Sequence, residues 1–265
     1  PSPQTSGSGG TGQTAMFDLT GKTALVTGAA TGLGQAIAVA LTTAGARVAL
    51  SNRRDLALDE TAELCAAQGA APLSLTIDVR DLAQITEGVA AVEAELGHVD
   101  ILVNNAGINR PAPGLEVDVE NWDDHFNTNV RGGFFCAQAV APKMIERGFG
   151  RVVFISSQSG LIGIPGQPVY CASKGAIINL VRTLGVEWAK HGVTVNSVAP
   201  TFVETNLTRA RLAQPEFRAF VLGKIPSGKL ATPEDIAHAV VYLASDEAGM
   251  VNCATLPVDG GWTAW

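Results

Sequence analysis

The chain has 265 residues, 46% hydrophobic and only 16% charged, which excludes a mostly disordered polymer and supplies enough apolar side chain for a full core. Its formal charge is −7, so it offers no general surface for a phosphate backbone, and no nucleic-acid partner is expected. No apolar run reaches the ~20 residues that span a bilayer, so no membrane partner is expected either.

Residues 1–15 are Gly, Ser, Thr, Pro and Gln with almost no apolar side chain, and read as a flexible extension. They lack the basic-then-apolar order of a secretory signal. Residues 16–265 read as a single domain with no internal linker. Short apolar runs follow at 22–28, 46–51, 72–77, 99–105, 150–156, 192–198 and 254–258. They are rich in Val, Ile and Leu without strict polar alternation, the pattern of strands buried on both faces. Segments of helical spacing lie between them, at 33–44, 55–68, 81–96, 120–147, 169–191 and 233–245. Thr232-Pro233-Glu234-Asp235 reads as a helix start, with a capping Thr, Pro in the first turn and early acids. The alternation predicts an α/β fold, a doubly wound seven-stranded parallel sheet with helices on both faces. The least regular stretch, 199–230, carries Pro200, Pro215 and Pro226 and is expected to form a lid or binding loop.

Cys65, Cys136, Cys171 and Cys253 form no C-x-x-C pair, so free thiols in a reducing cytoplasm are expected. His98, His125, His191 and His238 are equally scattered, and no metal site is expected.

The first strand runs into Thr27-Gly28-Ala29-Ala30-Thr31-Gly32-Leu33-Gly34 and then a helix. Glycines permit tight turns and close backbone approach, and a helix N-terminus presents free N–H groups to a pyrophosphate. The turn therefore predicts nucleotide binding. The second strand ends at Asn52 and Arg53, without the acidic tip that would accept a ribose 2′-hydroxyl. Arg53 suits a 2′-phosphate, which favours NADP(H) and leaves NAD(H) possible; the alternative is a solvated pair, Arg53 and Arg54. Asp78, at the third strand's tip, is a candidate partner for the adenine amino group. Tyr170 and Lys174 stand four apart on one predicted helix face. An ammonium there would lower the phenol pKa and make a general acid/base unit. Ser156-Ser157 and Asn104-Asn105-Ala106-Gly107 follow strands that end on the same side of the sheet, where ligands bind in such folds.

TGAATGLG, NNAG, Asn129, the serine pair, YCASK and Pro200 occur together in the order and spacing of the short-chain dehydrogenase/reductase family, which the chain resembles over about 250 residues. The resemblance implies a single Rossmann-type domain and hydride transfer between NAD(P)(H) and a carbonyl or secondary alcohol. It implies that Ser157 holds the substrate oxygen, Tyr170 exchanges its proton, and Lys174 binds the nicotinamide ribose and tunes Tyr170. Asn129 would hold a water in the proton relay, and Ser156 would point into the sheet. The implied cofactor cleft comprises Gly28, Thr31, Gly32, Leu33, Gly34, Asn52, Arg53, Asp78, Val79, Asn105, Ala106, Gly107, Tyr170, Lys174, Pro200, Val203 and Thr205. Two departures stand out. Thr31 occupies a position often basic in NADP-preferring members, and Thr201 replaces a common glycine. The family also implies a homotetramer built on helices 120–147 and 169–191, with the VDGGW end, including Trp262 and Trp265, near a neighbouring subunit.

TGLGQ, HVDILVNNAG, NWDDHFNTNV, EWAKHGVTVN and VDGGW resemble members acting on gluconate and deoxygluconate, implying a small polar substrate such as a sugar acid or polyol. Candidate substrate contacts are Asn109, Arg110, Gln158, Gln167 and Phe202, with Asn206 and Arg209 beside them. Arg110 would pair a carboxylate, or else be a surface arginine. Leu161, Ile164 and Phe202 would instead line a pocket for an apolar ketone or acyl group. A catalytically silent NADP(H)-binding protein is the remaining alternative.

Overall fold

The computed structural model describes residues 16–53, 57–206 and 208–264. The extension at 1–15, Arg54 and Trp265 lie outside the described residues.

Seven strands form one parallel sheet in the order β3-β2-β1-β4-β5-β6-β7. They are β1 (Thr23–Thr27), β2 (Arg47–Asn52), β3 (Leu73–Thr76), β4 (Ile101–Asn104), β5 (Gly150–Ile155), β6 (Val193–Pro200) and β7 (Thr255–Val258). Each lies within or beside its predicted run. The helices are α1 (Gly32–Thr43), α2 (Asp59–Ala66), α3 (Leu82–Leu96), α4 (Val119–His125), α5 (Gly133–Arg147), α6 (Pro168–Trp188), α7 (Arg209–Leu212), α8 (Pro215–Lys224) and α9 (Pro233–Ala244).

Sheet periodicity divides the core into two layers. Along β1, Ala24 and Val26 pack with Ile37 and Leu41 of α1 and Ile236 and Val240 of α9. Leu25, between them, faces the opposite layer with Val89 and Val92 of α3, Val140 and Met144 of α5, and Ile177 and Val181 of α6. Strands β1, β4, β5 and β6 are buried at every position, which is why their sequences do not alternate. The edge strand β3 does alternate, with Ser74 and Thr76 exposed.

The predicted 120–147 helix is interrupted. Between α4 and α5 the chain makes a π-helical turn, Phe126–Gly132, which carries Asn129. Such turns insert one residue into the helical ladder and leave no periodic signature in sequence. The 199–230 stretch is also more ordered than its prolines suggest, because it folds α7 and α8. Pro215 sits in the first turn of α8, where its missing N–H is tolerated.

At α9, Thr232 Oγ1 accepts from the Asp235 N–H at 3.2 Å and Asp235 Oδ2 accepts from the Thr232 N–H at 2.9 Å, completing a capping box. Thr232→Ala is expected to cost about 1 kcal/mol in urea denaturation and Thr232→Ser much less. Equal stability of all three proteins would contradict the cap's contribution.

Candidate active site

The sheet reverses its winding between β1 and β4, so their carboxyl ends flank an open crevice. A cleft of about 620 Å³ opens there. It runs from Asn52, Arg53 and Asp78 at one end to Ser157, Tyr170 and Lys174 at the other.

The glycine turn forms the floor. Gly28 has φ +66°, and a Cβ on it would stand 2.8 Å from the Ala106 Cα. A Cβ on Gly34 would stand 2.1 Å from the Gly28 carbonyl oxygen. Only glycine lets β1, α1 and the 105–107 turn meet this closely. Asn105 ties the crossing, donating from Nδ2 to the carbonyls of Thr27 at 3.0 Å and Gly28 at 2.9 Å. The Thr27 hydroxyl accepts from the N–H groups of Asn105 and Ala106, each at 3.1 Å. Thr31 caps α1 without a side-chain bond, and no acid stands in the helix's first turn. The N-terminal dipole therefore faces the cleft without a carboxylate to offset it.

All seventeen residues expected to hold the cofactor line this one cleft, from Gly28 and Thr31 through Asn105 and Gly107 to Pro200, Val203 and Thr205. Asp78 is paired with Arg80 at 2.7 Å, and this bond is the main cause that holds its carboxyl below the usual range; Arg53 contributes a smaller pull. The pairing engages the carboxylate expected to meet the adenine.

At the other end, β5 delivers Ser156 and Ser157, and α6 delivers Tyr170 and Lys174. The Ser156 hydroxyl donates to the Lys174 carbonyl at 3.0 Å, so it fastens β5 to α6. The Ser157 hydroxyl accepts from the Ser159 N–H at 3.1 Å and lies on the same cleft as Tyr170. Lys174 is 4% exposed; its Nζ donates to the Ile155 carbonyl at 2.8 Å and stands 5.7 Å from the Tyr170 ring centre. Gly160 permits this packing, since a Cβ there would meet the Lys174 backbone at 2.7 Å.

Burial, which spacing does not reveal, acts on both groups. Burial pushes Tyr170 up to about 12, and the Ser157 hydroxyl offsets this only in part. Burial also draws Lys174 down to about 8. Burial disfavours the charged form of each group. Tyr170 is thus protonated at neutral pH.

Asn129 lies behind this wall rather than in it. Its Oδ1 accepts from the Ile108 N–H at 2.8 Å, and its Nδ2 donates to the Ile108 carbonyl and to Ser173 Oγ, each at 3.0 Å.

The substrate candidates divide. Arg110 lines the cleft, but its guanidinium pairs with Asp124 and stands 3.9 Å from Glu120, so its charge is already balanced. Asn109 Nδ2 donates to Gln167 Oε1 at 3.0 Å; Asn109 Oδ1 and Gln167 Nε2 are buried without a partner. Both ends of the Gln158 amide are likewise buried and unpaired. Phe202 is spent on packing, stacked on Trp262 at 5.8 Å and edge-on to Phe217 at 5.6 Å. Trp262 is thus covered within its own chain. The sequence reading passed over Thr128 and Thr208, which line the cleft with Thr201. Thr128 precedes Asn129 on the π turn, and Thr208 bonds the Val203 carbonyl and the Thr205 N–H. No periodicity marks either of them.

No group of three or more His, Cys, Asp or Glu that could hold a metal occurs among the described residues, and no helix there is long and apolar enough to cross a membrane.

The chain matches the family model described as enoyl-(acyl carrier protein) reductase over residues 28–263. It is 40% identical over 248 residues to gluconate 5-dehydrogenase of Gluconobacter oxydans, covering 94% of this chain and 97% of that one. It is 41% identical to D-threitol dehydrogenase of Mycolicibacterium smegmatis, covering 93% and 95%. Its fold superposes with a TM-score of 0.89 on a gluconate 5-dehydrogenase from Burkholderia cenocepacia in complex with NADP and tartrate, at 35% identity over 94% and 98% of the two chains. With the glycine turn, serine, tyrosine and lysine gathered at one cleft, the chain belongs to the short-chain dehydrogenase/reductase family.

Proposed function

We propose that the protein is an NADP(H)-favouring oxidoreductase acting on a secondary alcohol, or the matching carbonyl, of a small polar substrate of the sugar-acid or polyol kind. The observation that carries this reading is the convergence of Ser157, Tyr170 and Lys174 on the cleft that begins at the glycine turn. The cleft suits a dinucleotide: Gly28 and Gly34 leave no room for a Cβ, and the α1 N-terminus faces it with no acid in its first turn. When bound, the dinucleotide supplies or accepts the hydride at its nicotinamide ring. Gly28, Thr31, Gly32, Leu33 and Gly34 would hold its pyrophosphate, and Arg53 would meet a 2′-phosphate. Lys174, Asn105 and Thr205 would hold the nicotinamide half.

In the reductive direction Ser157 fixes the carbonyl oxygen and Tyr170 gives the proton that neutralises the developing alkoxide. Burial keeps that proton on Tyr170 at neutral pH. Asn129 anchors the relay behind it through Ser173, whose hydroxyl donates to the Tyr170 carbonyl at 2.8 Å. In the oxidative direction Tyr170 must first lose its proton. The phenolate fraction grows tenfold per pH unit below a raised pKa, so the oxidative rate is expected to climb from about pH 6 to pH 9. A flat oxidative profile over that range, measured at saturating NADP+, would contradict the assignment.

Asn109 Oδ1 and Gln167 Nε2, buried without a partner behind the Ile108 and Arg110 wall of the cleft, support a polar substrate over an apolar ketone. The gluconate and threitol relatives point the same way. We also read the enzyme as a cytoplasmic homotetramer. The free thiols support the compartment, and the exposed apolar Val186 on α6 supports a covered face there. The test is a panel with each cofactor: D-gluconate, D-threitol and other polyols against apolar ketones and acyl thioesters. Turnover confined to the apolar members would transfer the reading to acyl reduction. No turnover of any member would favour the silent NADP(H)-binding alternative.

A further inference from the structure

His125, near the substrate end of the cleft, has no part in the chemistry assigned above. It is fully buried at the end of α4. Its Nε2 stands 3.1 Å from the backbone N–H of Arg110, which can only donate. Its Nδ1 stands 2.7 Å from the Asn121 carbonyl, which can only accept. Both contacts are satisfied by one state, the neutral ring with its proton on Nδ1. The ring also meets Tyr170 edge-on, with centres 6.3 Å apart.

His125 is the middle rung of a ladder. Asn121 Nδ2 donates to the Arg110 carbonyl at 3.1 Å, and Asn129 holds both the N–H and the carbonyl of Ile108. Residues 121, 125 and 129, spaced by four along α4 and the π turn, thus grip both ends of a three-residue segment. The middle residue, Asn109, reaches Gln167, the residue immediately before α6 and three before Tyr170.

We propose that His125 is a positioning residue: as a neutral acceptor for the Arg110 N–H it fixes the 108–110 segment as the wall that seats substrate against Tyr170. This rests on the oxidoreductase reading for its kinetic consequence, though not for its geometry. A proton on Nε2 would face the Arg110 N–H and break that rung. Burial is the largest cause that lowers the ring's pKa from its ordinary value; the Asn121 carbonyl raises it, and the charges of Arg110 and Lys174 lower it further. The other titratable groups nearby are Tyr170 on α6 and Asp124 on α4, the latter paired with Arg110. The rung is accordingly intact at neutral pH and lost on acidification.

The variants His125→Phe and His125→Gln test this. Phe keeps the ring beside Tyr170 and loses both hydrogen bonds. Gln reaches Arg110 with Oε1 and restores the acceptor. In the ligand-free protein, imidazole 15N spectra are expected to show a neutral Nδ1–H ring that vanishes in both variants. In His125→Phe, amide exchange at Arg110 is expected to quicken, and KM for the best substrate of the panel to rise, each by about tenfold, with NADPH affinity held within about twofold. Gln should recover most of both losses and remove the acid limb of kcat/KM that His125 gives the parent. An Nε2–H ring, or unchanged exchange and KM in His125→Phe, overturns the proposal. If His125→Phe fails to fold, an acid limb retained in His125→Gln overturns it. If no panel member turns over, the oxidoreductase reading falls, and the ring's tautomer and Arg110 exchange still decide whether the ladder holds.

Discussion

Tyr170→Phe is expected to lower turnover by about 10²- to 10⁴-fold while NADPH affinity stays within about twofold. The substitution removes one oxygen and leaves the ring packed against His125. The missing oxygen is the proton donor on the cleft that Ser157 and Lys174 share. The glycine turn, Arg53 and the Asn105 crossing lie at other parts of the cleft and are untouched. The loss should therefore fall on kcat, as for an interaction made only as the alkoxide develops. Stopped-flow turnover and fluorescence titration of NADPH separate the two quantities. Near-parental turnover on any substrate the parent accepts would remove Tyr170 from the mechanism.

Arg53→Ala is expected to weaken NADP(H) by roughly 10- to 100-fold and to leave NAD(H) within about threefold. The strand tip carries Asn52 where an acid would repel a 2′-phosphate, and Arg53 beside it lines the cleft. The forked, permanently charged guanidinium of Arg53 at this strand tip suits a 2′-phosphate. Isothermal titration with both cofactors reads the difference directly. Comparable losses for NADP(H) and NAD(H) would assign Arg53 a general rather than a 2′-phosphate-specific role.

Much of the fold was legible because its strands are buried on both faces. Val, Leu and Ile runs such as Thr23–Thr27 and Gly150–Ile155 carry that burial openly. The glycine turn was legible for a steric reason: Gly28 and Gly34 stand where no Cβ fits. What the sequence concealed is irregular or depends on environment. The π turn at Phe126–Gly132 reads as ordinary helix, because it lies between two α-helical segments, α4 and α5, without a break. The capture of Arg110 by Asp124 required knowing that α4 passes beside the 108–110 segment. The raised pKa of Tyr170 was invisible for a related reason. A spacing of four announces the Lys174 charge but not the burial that acts on both groups. Phe202, equally suited by composition to a substrate pocket or to packing, was resolved only by the aromatic cluster around Trp262.

The central claim is that this cleft moves a hydride between NADP(H) and a polar secondary alcohol. Its most direct test is NADPH formation, followed at 340 nm, when the parent protein meets NADP+ with D-gluconate or D-threitol. The account predicts formation with at least one polar substrate of that class, faster at pH 9 than at pH 7 and slowed at least about a hundredfold in Tyr170→Phe. Near-parental formation in Tyr170→Phe, or its absence from every polar substrate while apolar ketones react, would contradict it.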